Sequence, residues 1–372
     1  MRIRFISSTP MNVFQGSGTY VGIETLARSI RALGAQVDIV APRHRFPILT
    51  AQRLLFNQSL RFQRRNDYDV TVGFDMDGYT IAGHSSSGHT TAGAGPNVHV
   101  ASIKGVIANE MRFESGLTKI TMRLQAACEA EHVRRADFVM TTSAYAASQI
   151  RQLYGLSQPP RIVPELIDLA SWKDLAQSNS PPPTHKFIVL TVCRFYPRKR
   201  LPVLLIAANR LRARIPGLEV RIVGGGPEEN RLRAICRDRN LEDIVVWRHN
   251  ISGEELAREY NQCHVFCLPS VQEGFGIVFL EAMANGKPIV AARAGATPEV
   301  VRHGVLVEPD NDQQLADAIE QLCRDPLLRA SLGEAGRALV RQFDAPVVGR
   351  MFLLELEEFM ALKADTARRA AS

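Results

Sequence analysis

No apolar run in the 372 residues reaches the roughly 18 that a membrane-spanning helix requires. The opening Met1-Arg2-Ile3-Arg4-Phe5-Ile6 runs into a short strand pattern rather than the longer apolar core of a secretory leader. A cytoplasmic protein is the expectation. Cysteine is scarce: Cys128, Cys193, Cys236, Cys263, Cys267 and Cys323 are scattered through apolar segments with no disulfide-framework spacing, as suits small core residues in a reducing compartment. The one cluster, Cys263-His264-Val265-Phe266-Cys267, lacks the paired ligand spacings of zinc sites. Read as a strand, it puts both cysteines on one face and the histidine on the other. No metal is expected, and no basic cluster with interleaved aromatics points to nucleic acid.

What is present is ordinary globular usage, 45% hydrophobic and 22% charged, which excludes disorder, collagen-like repeats and coiled coils. The length suits two domains. The net charge of +7 is unevenly shared: residues 1–168 hold 18 Lys and Arg against 13 Asp and Glu, the remainder 27 against 25. An anionic partner is therefore expected mainly on the first half.

Strand and helix patterns alternate from the start. Ile3–Ser7 is followed by the turn Gly16-Ser17-Gly18, an amphipathic run Tyr20–Leu33 and a second apolar run Val37–Val40, which together read as a βαβ unit. Runs at Val70–Gly73, Val98–Ile103 and Phe138–Thr142 extend a parallel sheet with helices over 116–134 and 144–154. Residues 78–97, rich in Gly, Ser and Thr, break the rhythm as a surface loop or as a substrate-facing loop at the rim of the first sheet. Ser178-Asn179-Ser180-Pro181-Pro182-Pro183 has linker composition. Beyond it the alternation restarts at Phe187–Val192 and continues to Ile289–Ala291. Two Rossmann-like doubly wound domains follow, over 1–170 and 184–346, with a linker at 171–183; a helical tail over 347–372 could pack on either.

The most informative segment is Pro269-Ser270-Val271-Gln272-Glu273-Gly274-Phe275-Gly276-Ile277-Val278-Phe279-Leu280-Glu281-Ala282-Met283-Ala284-Asn285-Gly286-Lys287-Pro288. A strand enters a glycine-flanked turn and then a helix, so backbone N–H groups around Gly274, Phe275, Gly276 and Ile277 form a seat for phosphate at the positive end of the helix dipole. Glu273 and Glu281 offer carboxylates that each accept two hydroxyl protons, which suits the vicinal diols of a sugar or ribose.

This pattern resembles the signature of the family-4 retaining glycosyltransferases, whose GT-B fold sets two Rossmann-like domains across a cleft. The resemblance implies that Glu273 binds donor-sugar hydroxyls and Glu281 the ribose diol of a nucleotide. Thr191-Val192-Cys193-Arg194-Phe195-Tyr196-Pro197-Arg198-Lys199 places Arg194 and Lys199 at the carboxyl end of a strand, where two cations would hold a diphosphate and stabilise it as it leaves. Val223-Gly224-Gly225-Gly226-Pro227-Glu228 is similar to the family's glycine-rich turn, bringing in Gly224 and Gly226. A nucleotide base would sit near Trp247-Arg248-His249-Asn250 without one base being favoured. In the first domain the family's glycine loop corresponds to Gly16 and Gly18, which would approach the donor phosphate and the acceptor.

The chain departs from the family at Val100-Ala101-Ser102-Ile103-Lys104-Gly105, where Lys104 replaces a histidine that contacts the donor sugar. Lys104 can still donate to a hydroxyl or phosphate, but not in a histidine's manner. Asp75-Met76-Asp77 follows a strand and is expected to face an acceptor rather than a metal. The acid-free stretch Leu49–Arg65 puts Arg53, Asn57, Arg61 and Arg64 on one polar helix face: an ordinary packing helix, or a peripheral contact with an anionic membrane at the inner face.

The expected activity is retaining transfer of a hexosyl group from a nucleotide-diphosphate sugar, UDP- or GDP-linked, to a hydroxyl of a small-molecule, lipid-linked or glycan acceptor. Neither cofactor nor metal is needed. The alternative is a GT-B sugar-nucleotide epimerase or hydrolase.

Overall fold

A computed structural model describes residues 1–9, 18–42, 48–63, 67–83, 97–177 and 185–371. Contacts divide the chain into two units, one of residues 1–165 with 345–372 and the other of residues 166–344.

The first unit is built on six parallel strands: β1 (Arg2–Ile6), β2 (Gln36–Val40), β3 (Val70–Phe74), β4 (Val98–Ile103), β5 (Phe138–Thr141) and β6 (Arg161–Ile162), in the order β2-β1-β3-β4-β5-β6. Every residue of β3 and β4 is buried, as expected of strands covered on both faces. The tail forms one helix, Ala345–Ala371, and belongs to this unit. Its buried Val348, Phe352, Leu356 and Phe359 recur at helical spacing and give it one apolar face. Phe352 meets Phe5 edge-on at 5.9 Å, and Phe359 stacks on Phe138 at 4.2 Å. The Ser29 hydroxyl on the Gly18–Ala32 helix donates to the Ala345 carbonyl at 2.6 Å.

The second unit carries β7 (Phe187–Arg194), β8 (Leu218–Gly225), β9 (Val245–Arg248), β10 (Val265–Leu268), β11 (Ile289–Ala292) and β12 (Val305–Val307) in the order β12-β11-β10-β7-β8-β9, all parallel. Side-chain alternation splits its core: Val189, Val265 and Cys267 pack on one face, Ile188, Leu190, Phe266 and Leu268 on the other. Cys263 corrects the shared-face expectation. It caps the Gly253–Gln262 helix before β10 begins and joins the cluster opposite Cys267, so strand alternation does not govern it.

The linker expected over 171–183 is corrected as well. Residues Leu169–Gln177 form a helix within the second unit, and Trp172 meets Tyr260 edge-on at 5.6 Å. Half-buried Leu169, Trp172 and Leu175 at spacing three are the signal that the proline-rich composition nearby obscured. Residues 178–183 lie outside the described residues. Strands β6 and β12 and the helices Asp312–Arg324 and Pro326–Val340 were not anticipated.

Phe352→Ala is expected to lower the unfolding free energy of the first unit by about 3–5 kcal/mol, read by urea denaturation. A loss below about 1 kcal/mol would show that the terminal helix is not part of its core.

Candidate functional site

Parallel pairing of β7 with β10, in register at Val189↔Val265 and Leu190↔Phe266, puts the carboxyl ends of these strands side by side. After β7 the chain turns through Pro197–Lys199; after β10 it runs through Pro269–Gln272. The two loops are stitched together at Arg198, whose carbonyl accepts from Val271 N at 2.9 Å and from the Ser270 hydroxyl at 3.2 Å. This places Lys199 Nζ 2.5 Å from Glu273 Oε1, with both side chains mostly buried. Arg194 is half-buried at the end of β7 and has no carboxylate in ion-pair contact among the described residues.

Glu273 is fixed from behind. Its carbonyl accepts from Ala296 N at 3.0 Å, and at Gly295, with φ +59°, a Cβ would lie 2.7 Å from the Glu273 nitrogen, so no larger residue fits. Gly295 was missed, although a glycine just past the end of β11 is a readable signal. Gly274, Phe275 and Gly276 follow Glu273. The Phe275 ring is buried 5.5 Å from Phe343 and anchors the loop. Gly276 caps the helix Ile277–Ala284 in the left-handed conformation, φ +92°.

On that helix Glu281 accepts from the Tyr260 hydroxyl at 2.8 Å. Burial pushes its carboxyl up to about 7, with the Tyr260 hydrogen bond pulling the other way. Tyr260 was also missed: it is 21 residues upstream on another helix, where nothing local links it to Glu281. The glycine turn after β8 has a packing reason of its own, because a Cβ at Gly224 would lie 2.0 Å from the Cys193 carbonyl oxygen, and one at Gly226 2.7 Å from Phe195 N. Near the expected base pocket the Arg233 guanidinium lies 5.0 Å over the Trp247 ring, and Arg233 Nη2 is 2.8 Å from His249 Nε2.

The first unit gathers a separate polar cluster. Lys104 Nζ lies 3.1 Å from Glu165 Oε2, with side chains only 6% and 5% exposed. Burial of this depth demands a countercharge. Glu165, 61 positions away, was missed; β4, β5 and β6 bring it close. Asp75 Oδ1 accepts from the backbone N–H groups of Lys104 and Gly105 at 2.8 and 3.3 Å and so sets the turn that carries Lys104. Burial raises its carboxyl to about 6, with Arg53 opposing.

Asp77 corrects the acceptor expectation. It is fully buried and accepts from Ser8 N at 2.6 Å, the Ser8 hydroxyl at 2.7 Å and Asn57 Nδ2 at 2.8 Å. A carboxylate so enclosed is an internal tie. Arg53 and Asn57 likewise point inward rather than along a polar surface: Arg53 donates to Ser8 Oγ and Gln125 Oε1. Gly16, Arg64 and Arg65 lie outside the described residues, and Gly18 opens the first helix.

Among known proteins, the family described as Glycosyl transferases group 1 matches residues 173–339. A GDP-mannose-dependent alpha-(1-6)-phosphatidylinositol monomannoside mannosyltransferase of Mycolicibacterium smegmatis is 30% identical over 65% of this chain and 67% of the relative. The aligned part spans 57% of the Mycobacterium tuberculosis protein of the same description, also at 30% identity over 55% of this chain. A D-inositol 3-phosphate glycosyltransferase of Pseudarthrobacter chlorophenolicus is 32% identical over 75% of this chain and 68% of the relative. The structure of sucrose-phosphate synthase from Thermosynechococcus elongatus superposes with a TM-score of 0.79 over 97% of this chain and 99% of that one, at 22% identity, which speaks to fold alone. The fold is GT-B. These similarities give no support to the epimerase or hydrolase alternative.

Asp77→Ala should cost about 3–5 kcal/mol of unfolding free energy, because Ser8 and Asn57 are left with buried, unpaired donors beside Arg53. A change within about 0.5 kcal/mol, the range of ordinary surface substitutions, would return Asp77 to the candidates for ligand binding.

Proposed function

Since this chain belongs to the Glycosyl transferases group 1 family, we propose that it moves a hexosyl group from a nucleoside-diphosphate sugar to an acceptor hydroxyl with retention of anomeric configuration. The observation that carries the reading is the Lys199–Glu273 pair, at the point in the sheet where strand order reverses. Arg194, at the end of β7 and with no carboxylate in ion-pair contact among the described residues, offers charge-assisted hydrogen bonds to a diphosphate. Lys199 exchanges its carboxylate partner for phosphate oxygen, which frees Glu273 to accept from sugar hydroxyls. Glu281 in its ionised form takes the ribose diol.

In the transfer, the bond from the anomeric carbon to the phosphate oxygen breaks and a bond from that carbon to the acceptor oxygen forms on the same face. The acceptor proton passes to a phosphate oxygen, so no carboxylate nucleophile is required. Charge on the departing diphosphate grows as the bond lengthens, and fixed cations stabilise it more than they stabilise the bound donor. Lys104 contributes N–H donors for a sugar hydroxyl or phosphate. The relatives' descriptions favour a mannosyl-type donor and a polyol acceptor that is phosphorylated or lipid-linked.

Lys199→Ala is expected to lower the turnover of the folded enzyme about 10²- to 10³-fold, the scale of one lost transition-state donor, and also to lower the unfolding midpoint, because Glu273 is left mostly buried without its countercharge. Wild-type turnover would reject the assignment. Nucleotide affinity, measured by calorimetry, should rise as pH increases through about 7, where Glu281 ionises, and Tyr260→Phe should move that midpoint upward. Stability carries the opposite sign. The folded chain keeps a proton on Glu281 that the unfolded chain has lost, so this group's contribution falls as pH rises from the ordinary carboxylate range to about 7.

A further inference from the structure

The loop that carries Lys104 leaves β4 and enters a single helical turn, Ile107–Glu110. The first N–H groups of such a turn find no partner within it. A Ser, Thr, Asp or Asn just before it would ordinarily supply one, but Val106 stands there and caps nothing. Acceptors come instead from remote elements. Glu129 Oε2 accepts from Ile107 N at 2.9 Å, and the Tyr154 hydroxyl accepts from Ala108 N at 3.2 Å while donating to the same Glu129 oxygen. Since Asp75 Oδ1 takes Lys104 N and Gly105 N, four of the five N–H groups over 104–108 end on side chains outside the loop.

Both of these acceptors are enclosed, Glu129 at 0% exposure and Tyr154 at 3%. Burial pushes the Glu129 carboxyl well above its ordinary range, with Asp75 adding to the rise and the bonds from Tyr154 and Ile107 opposing it. A carboxyl so buried is costly unless it is hydrogen-bonded, and the backbone bond it accepts comes from this loop. Glu129 stands three positions before His132 on the Gly116–Arg135 helix, so the two share a face. His132 Nδ1 donates to the Asp75 carbonyl at 2.6 Å, and Asp75 itself holds the left-handed conformation at φ +53°. One helix face therefore registers both the loop that carries Lys104 and the turn that carries Asp75, and Tyr154 ties in the Ala144–Tyr154 helix as a further support.

We propose that Glu129, Tyr154 and His132 are positioning residues that clamp the 104–108 backbone and so give the Lys104 ammonium one fixed place for the transfer. An ammonium on a flexible four-carbon stem is aimed only as well as the backbone beneath it is held, and a small misplacement of a reacting group costs rate steeply. The inference rests on the transfer reading for what Lys104 does; the clamp on the loop stands without it.

The test pairs amide hydrogen exchange with kinetics on the full chain. Tyr154→Phe keeps the ring and removes one oxygen, so exchange over residues 104–110, read by mass spectrometry, should quicken about tenfold, the scale of one lost hydrogen bond. Turnover, read as nucleoside diphosphate released from GDP-mannose or UDP-glucose with D-inositol 3-phosphate as acceptor, should fall about tenfold or more. The calorimetric affinity for GDP or UDP should stay the same, because the proposed nucleotide seat lies in the second unit. In a Lys104→Ala background Tyr154→Phe should cost nothing further, since there is no ammonium left to place. Glu129→Gln, which keeps an oxygen for both donors, should recover most of the turnover that Glu129→Leu loses. Unchanged exchange in Tyr154→Phe, unchanged turnover, a loss that adds in full to that of Lys104→Ala, or equal losses in the two Glu129 variants would each overturn the proposal. Turnover of neither donor by the wild type would instead sink the transfer reading, and the exchange result then decides the clamp alone.

Discussion

The contact between Lys199 and Glu273 depends on a single topological fact, that β10 lies against β7. The strand order places β7 between β8 and β10, so successive helices leave toward opposite sides and a crevice opens at the carboxyl ends. Into it the two loops deliver a cation and a carboxylate 74 positions apart in the chain. The bonds to the Arg198 carbonyl lock one loop on the other, and Gly295 lets a third segment support the Glu273 backbone. Any arrangement that separated these strands would leave two charges mostly buried and alone.

The first unit has an equivalent reversal between β1 and β3, but there the ends are tied shut. Ser8 after β1 and Asp77 after β3 hydrogen-bond each other directly, and Asn57 fills a further acceptor site. Asp77 takes hydrogen bonds from Ser8 and Asn57 and has the Arg53 guanidinium 3.7 Å away, while in the second unit Glu273 meets the Lys199 ammonium at 2.5 Å. Both arrangements tie loops at the carboxyl ends of their sheets, with Asp77 fully enclosed and the Lys199–Glu273 pair mostly buried.

Lys104 illustrates what a buried cation requires of its surroundings. A neutral imidazole tolerates burial, but an ammonium 6% exposed does not without a countercharge, and Glu165 provides it. Asp75 holds the turn on which Lys104 sits. Position 104 is therefore supported by two carboxylates doing different things, one neutralising the side chain and one satisfying the backbone.

Local pattern was sufficient for most strands and helices, for the tandem doubly wound architecture and for the Glu273–Glu281 segment, because periodicity, turn residues and strand-to-helix punctuation act over a few positions. It failed where composition misled, as at Leu169–Gln177, and where a motif is used internally, as at Asp77. The chain sequence by itself determined which chemical groups are available and which secondary structure carries each of them. Only the tertiary structure decided who meets whom: Tyr260 with Glu281, Glu165 with Lys104, Gly295 with Glu273. Such partners are set by strand order and burial across tens of residues, and neither leaves a mark in the local succession of side chains.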